Sequence, residues 1–396
     1  MKGINVKHMI GIFAFCLCCQ LSNLTLGVLA YIMQSYPDVP ATTVSQIAAT
    51  PALVATVYAF FVGALHKKFP AKYLILFAQV CVFLYGMVFL FFGGVAPIAV
   101  LVVAAGLIGI NQGSCNTLLA VILPEACPDE GKRGSILGIC NAVMSLGGVI
   151  MVNVGSALAV DRWQNAYIAF FAVAACIVLQ VLFLPKGALQ STEAADAEEK
   201  TEKSSAKLPA KAWLIAIHYF FFFLALYVFG LNVSEYVITT HQLGGAVEAG
   251  LATSMITVGG VVAGALFGVY ARYLKKFTVP VLMGLCVVGL VLPIVVTTSI
   301  LAIYICGFLL GFAMMGCTPY IITYLAKVAP GEAYSKALSV YSGFMNAGMV
   351  VAVSVLAFLT QIFFGDGAYV PGKFVVGAVM ALACFVTSFP IYASKD

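Results

Sequence analysis

The chain has 396 residues, 63% of them apolar and only 9% charged, with a formal net charge of +5. Soluble domains run to about 45–50% apolar and about 25% charged, so the composition points to an integral membrane protein. The modest charge supplies no basic face of the kind that binds nucleic acid, which argues against that partner.

A helix needs about 20 residues to cross the hydrocarbon. Apolar runs of that length, cut by polar, Pro and Gly punctuation, predict twelve spans: 8–33, 43–65, 73–93, 97–122, 135–159, 165–184, 212–239, 247–271, 278–298, 300–326, 336–361 and 371–392. The first run is too long for the apolar core of a signal peptide and is read as a span. Between the sixth and seventh lies QSTEAADAEEKTEKSSAKLPAK, polar, mixed in charge and free of aromatics. Such a segment cannot bury enough apolar surface to fold alone and is expected to be a linker. The expected organisation is a six-helix bundle over 1–185, a cytoplasmic linker over 186–211 and a second six-helix bundle over 212–396.

Orientation follows from Lys and Arg, which accumulate on the cytoplasmic side. With twelve spans, eighteen of the twenty Lys and Arg residues fall in even-numbered loops or termini, and only Arg162 and Lys373 in odd-numbered loops. Both termini are therefore expected in the cytoplasm. The turn GALHKKFPAKYL after span two is one of these basic loops.

The halves repeat at an offset of about 205: GALHKKFPAKYL corresponds to GVYARYLKKFTV after span eight, with Gly63 on Gly268 and Lys67 on Arg272. Spans four and ten agree at an offset of 202, which places Gly109 on Gly311 and Cys115 on Cys317. A parallel repeat of this kind is a transporter architecture, with the site expected between halves near mid-membrane.

These features resemble the major facilitator superfamily over essentially the whole chain. Gly63, Leu65, Lys68 and Lys72 follow that family's motif after span two, although Lys67 stands where the family has Asp and Pro70 where it has Gly. Gly109 and Gly113 fit the glycine pattern of the fourth span, whose Arg position is Ala105; Arg133, Gly138, Gly147 and Gly148 fit the fifth. The compact bacterial permeases are the most similar branch. The resemblance implies an all-α fold of two pseudo-symmetric six-helix bundles and a monomer in the cell's inner (plasma) membrane. It also implies that spans one, four, seven and ten line the cavity.

On those spans, polar and aromatic residues recur at helical spacing. They are Gln20, Asn23 and Tyr31 on span one, Asn111, Gln112 and Asn116 on span four, Phe229, Asn232 and Tyr236 on span seven, and Thr318 on span ten. Amides inside a bilayer must find partners or water. Each could bond a neighbouring helix, but together they suggest a polar cavity. No cation is expected at mid-depth, so the favoured substrate is a neutral or weakly polar organic molecule.

Glu235 is the clearest intramembrane acid. It reads either as an interfacial carboxylate or as a proton-coupling group, and His218 stands on the same helical face. At the cytoplasmic surface, Gly63, Lys67, Lys68, Glu125, Asp129, Arg133 and Arg272 are candidates for gating, the acids of PEACPDEGKRG pairing with the basic turn. The twelve cysteines lie almost all in apolar runs and read as small buried hydrophobes, with no metal spacing; neither metal nor cofactor is expected. No HExxH, GxSxG or P-loop suggests an enzyme. The reading is a carrier working by alternating access, proton-coupled or facilitative. Efflux by proton antiport is the alternative, and a membrane sensor a remote one.

Overall fold

The computed structural model describes residues 5–187, 208–330 and 332–393, and all regular structure among them is helical. The chain divides into two compact units, 1–196 and 197–396. Most of the expected linker lies outside the described residues. Helices occupy each of the twelve predicted positions. Among the described residues nine helical stretches are long and apolar enough to cross a bilayer, one of them (246–295) being two consecutive spans.

In the first unit, span one is split into α1 (Val6–Leu17) and α2 (Asn23–Ser35). Spans two to five are Ala41–His66, Ala71–Phe92, Ile98–Ala126 and Glu130–Leu158. Span six opens with a 3-10 segment, Trp163–Phe170, and continues as Phe171–Phe183. In the second unit, span seven is Ala210–Glu235, extended by a π-helical turn, Tyr236–Thr240. Spans eight to eleven are Ala246–Leu274, Thr278–Val295, Ile300–Val328 and Glu332–Phe364. Span twelve, Val370–Ser388, ends in a π turn, Phe389–Ala393.

Local chemistry explains many of the helix starts. Pro40, Pro70, Pro97 and Pro209 each stand immediately before a helix. Proline's fixed φ suits helix entry, and the missing N–H costs nothing where no helical acceptor exists. Apolar side chains such as Phe77, Leu84 and Phe91 of span three stay exposed on the bundle surface, as they must where the solvent is lipid.

Close packing of paired spans rests on glycine, because association in lipid depends on intimate contact rather than on escape from water. A side chain at Gly109 would collide with the Pro51 carbonyl and Val54 of span two, and one at Gly311 with the Ile256 backbone of span eight. The two glycines matched by the repeat therefore do the same job in the two units.

The first unit is closed at one end by an aromatic cluster: Tyr85, Phe89, Tyr167 and Phe170 pack ring on ring, with Trp163 against Tyr167. Thr25 of α2 bonds the hydroxyls of Tyr85 and Tyr167, and Trp163 Nε1 donates to Ser35 Oγ at 2.7 Å. Toward the other end a core of Ile12, Phe15, Leu118, Leu119 and Ile122 joins spans one and four.

Candidate functional site

The interruption of span one, Cys18–Ser22, contains neither Pro nor Gly. It holds because other groups take over the hydrogen bonds that a helix would have made, a necessity inside a membrane. Asn111 Nδ2 of span four donates to the Cys18 carbonyl at 2.9 Å, and Gln79 Nε2 of span three donates to Asn111 Oδ1 at 2.9 Å. Gln112 Nε2 donates to Ser22 Oγ at 2.5 Å. Local turns complete the set, with Cys19 N donating to Cys16 O and Thr25 N to Ser22 O. Gly147 of span five lets the Leu17 carbonyl come against it, where any side chain would clash.

Of the residues expected to line a polar site, Gln20, Asn111 and Gln112 meet at this break and Asn23 follows it, whereas Tyr31 lies two turns further along α2. Asn111 is fully buried, while Gln20, Asn23, Tyr31 and Gln112 are partly exposed. Asn116 lies on span four, with its side chain outside the described residues. Gln79, fully buried, was not singled out in the sequence; its Oε1 has no hydrogen-bond partner. A glutamine inside the apolar run of span three was the available signal.

In the second unit the span-seven residues are enclosed by their own bundle. Asn232 Nδ2 donates back to the Val228 carbonyl at 2.8 Å. The Tyr236 hydroxyl donates to the Pro293 carbonyl of span nine at 2.6 Å, and its ring packs on Phe374 of span twelve, as does Phe229. His218 Nε2 lies 2.9 Å from the Cys384 carbonyl, and its ring faces Tyr392. Thr318 of span ten shares a hydrogen bond of 2.9 Å with the Tyr219 hydroxyl, and the Tyr219 ring stacks on Tyr341.

Glu235 closes the helical part of span seven. Its Oε2 is buried without a hydrogen-bond partner. The charges that act on it are Lys373 and Asp366. Lys373 reads from the sequence as a loop cation, but it lies in the first turns of span twelve and is only 6% exposed.

At the ends of the helices, Lys67, Lys68, Glu125, Asp129 and Arg272 are exposed. A side chain at Gly63 would meet nothing within 4 Å. Arg133 Nε donates to the Cys127 carbonyl at 2.9 Å and Nη2 to the Pro128 carbonyl at 3.1 Å. It thereby pins the turn between spans four and five.

One sequence expectation is corrected. The cysteines are not all inert fillers, since Cys19 and Cys115 form a disulfide across 96 residues of chain.

Two six-helix units, repeated glycine contacts and an interrupted first span with buried amides are the construction of a polytopic carrier. The sequence profile of the Major Facilitator Superfamily matches residues 10–295 and 215–395, and the chain belongs to that family of membrane transporters. No curated protein sequence matches it. Among solved structures, a mutant of the nucleoside transporter NupG is similar with a TM-score of 0.73 at 11% identity, over 98% of this chain and 100% of that one. A mutant of the peptide transporter POT is similar with a TM-score of 0.73 at 13% identity, over 98% of this chain and 95% of that one.

Proposed function

We propose that the protein carries a small neutral or weakly polar organic solute by alternating access. In this reading it works as a monomer in the inner (plasma) membrane, with both termini cytoplasmic and bundles bounded at about 185 and 212. The observation that carries the reading is the break in span one. There, partly exposed Gln20, Ser22, Asn23 and Gln112 gather beside a helix interruption. Discontinuous helices are where carriers of this architecture place their ligands, and amides with hydroxyls suit an uncharged polar ligand.

Binding raises apparent stability by mass action, so purified protein melted in the presence of metabolites identifies candidates. Nucleosides and peptides, the compounds named for the two similar structures, go first. Hits are then tested for uptake and counterflow in proteoliposomes. A stabilising solute that also exchanges across the bilayer is the expected result; stabilisation without counterflow would sink the carrier reading.

Glu235 is the candidate for proton coupling, because a buried intramembrane acid is costly to keep and is by default a functional group. With Glu235→Gln, pH-driven accumulation should be lost while exchange survives. Accumulation retained in that variant would remove Glu235 from the mechanism. Efflux would appear as uptake confined to inside-out vesicles.

A further inference from the structure

Three cysteines crowd the end of α1 and the break after it: Cys16, Cys18 and Cys19. Each meets a cysteine on a different helix. Cys16 neighbours Cys140 of span five, Cys18 neighbours Cys176 of span six, and Cys19 is bonded to Cys115 of span four. The second unit has no such arrangement: span seven contains no cysteine, and Cys317, the repeat counterpart of Cys115, is free and buried. Random placement of small apolar fillers would not oppose three neighbouring thiols with one thiol from each of three helices. Of the three pairs, only Cys19–Cys115 is covalently bonded, and its Cα atoms lie 6.4 Å apart, within the span a disulfide bridges without backbone movement.

We propose that Cys19 and Cys115 form a reversible thiol–disulfide site. In its closed form it fastens the interruption of span one to span four; in its open form it leaves that junction to the amide bonds of Asn111 and Gln112. Oxidation by a peroxide balances simply: two thiols and one hydrogen peroxide give the disulfide and two waters. In reduction a dithiol supplies two electrons and two protons, regenerates both thiols and itself becomes a disulfide. Small neutral reagents are the appropriate chemistry, because both sulfurs are buried while Gln20, Ser22 and Gln112 beside them are partly exposed. That the fastened segment is a working part of a carrier rests on the transporter reading; the linkage itself does not.

The test uses the full chain, purified in mild detergent and treated with hydrogen peroxide or with dithiothreitol. Both samples are quenched in acid, alkylated with N-ethylmaleimide, digested and mapped by mass spectrometry. Peroxide should yield a Cys19–Cys115 cross-linked peptide, and dithiothreitol should leave both residues alkylated. The oxidised protein should melt several degrees higher by intrinsic fluorescence, because the bond closes a long loop. It should also exchange amide hydrogens more slowly over residues 16–24. Cys115→Ser should abolish all three differences and Cys140→Ser should preserve them; the wild-type map stands even if a variant fails to fold. The proposal is overturned if peroxide leaves both thiols alkylatable, if the cross-link joins Cys140 or Cys176 instead, or if the bond persists in dithiothreitol. Because none of these readouts involves solute movement, a failed transport assay and a failed redox map remain distinct results.

Discussion

Span one and span seven occupy equivalent places in the two repeats, yet one is interrupted at Cys18–Ser22 and the other runs helical from Ala210 to Glu235. Neither break nor continuity follows from proline or glycine in the spans themselves. The difference sits on their neighbours. Asn111 of span four bonds the freed Cys18 carbonyl and Gln112 the Ser22 hydroxyl beside it; at the repeat offset, span ten carries Ala313 and Met314, which offer no such donor. In lipid a helix stays intact unless something else satisfies its backbone. A neighbour's amide therefore decides where a span can open.

The comparison can be broken or sharpened by substitution. The largest effect should come from the contact the halves share. Gly109→Leu and Gly311→Leu should each lower stability by about 3 kcal/mol or more, since the added side chain meets backbone that cannot retreat. The check is the melting temperature of each variant in detergent. A severe loss in one unit with none in the other would show that the repeated glycines are not equivalent.

Asn111→Ala comes next. It leaves the Cys18 carbonyl and Gln79 without their partners, at a cost of about 1–3 kcal/mol. Asn232→Ala, which removes a bond within a single helix, should cost only about 0.6 kcal/mol. A double-mutant cycle of Asn111 with Gln79 should show coupling, whereas Asn232 with Gln79 should be additive. Equal losses for Asn111 and Asn232 would contradict the role assigned to the break.

Tyr236→Phe removes the hydroxyl that bonds the Pro293 carbonyl and should cost about 1 kcal/mol, read from the same melts. The smallest effect belongs to the surface. Lys67→Glu should change stability by less than about 0.5 kcal/mol. If Lys67 and Glu125 work as a gate, that reversal should still alter the labelling of cysteines placed near the turn, and restoring the pair with Glu125→Lys should return labelling to its starting level.

Much of the architecture was legible because bilayer thickness and backbone satisfaction leave few options. All twelve predicted spans coincide with helices to within a few residues, and the match of Gly109 to Gly311 was readable before any contact was known. The amides of span four were also visible, as polar letters in an apolar run. Their use was not. From the letters alone Lys373 reads as a loop cation, and Cys19 and Cys115 as buried fillers. Both depend on packing between distant segments: Lys373 is buried in the bundle beside the charge of Glu235, and the disulfide joins two segments 96 residues apart.

Composition and periodicity alone determined that this chain is a duplicated helical membrane protein, because hydrophobic length and charge asymmetry are properties of the letters. The tertiary structure decided that span one opens while span seven does not, that Asn111 serves a neighbour's carbonyl, and that one cysteine pair of three is bonded. Each of these requires a donor, an acceptor or a sulfur from elsewhere in the chain to arrive within a few ångströms, and only the packing of the helices brings it there.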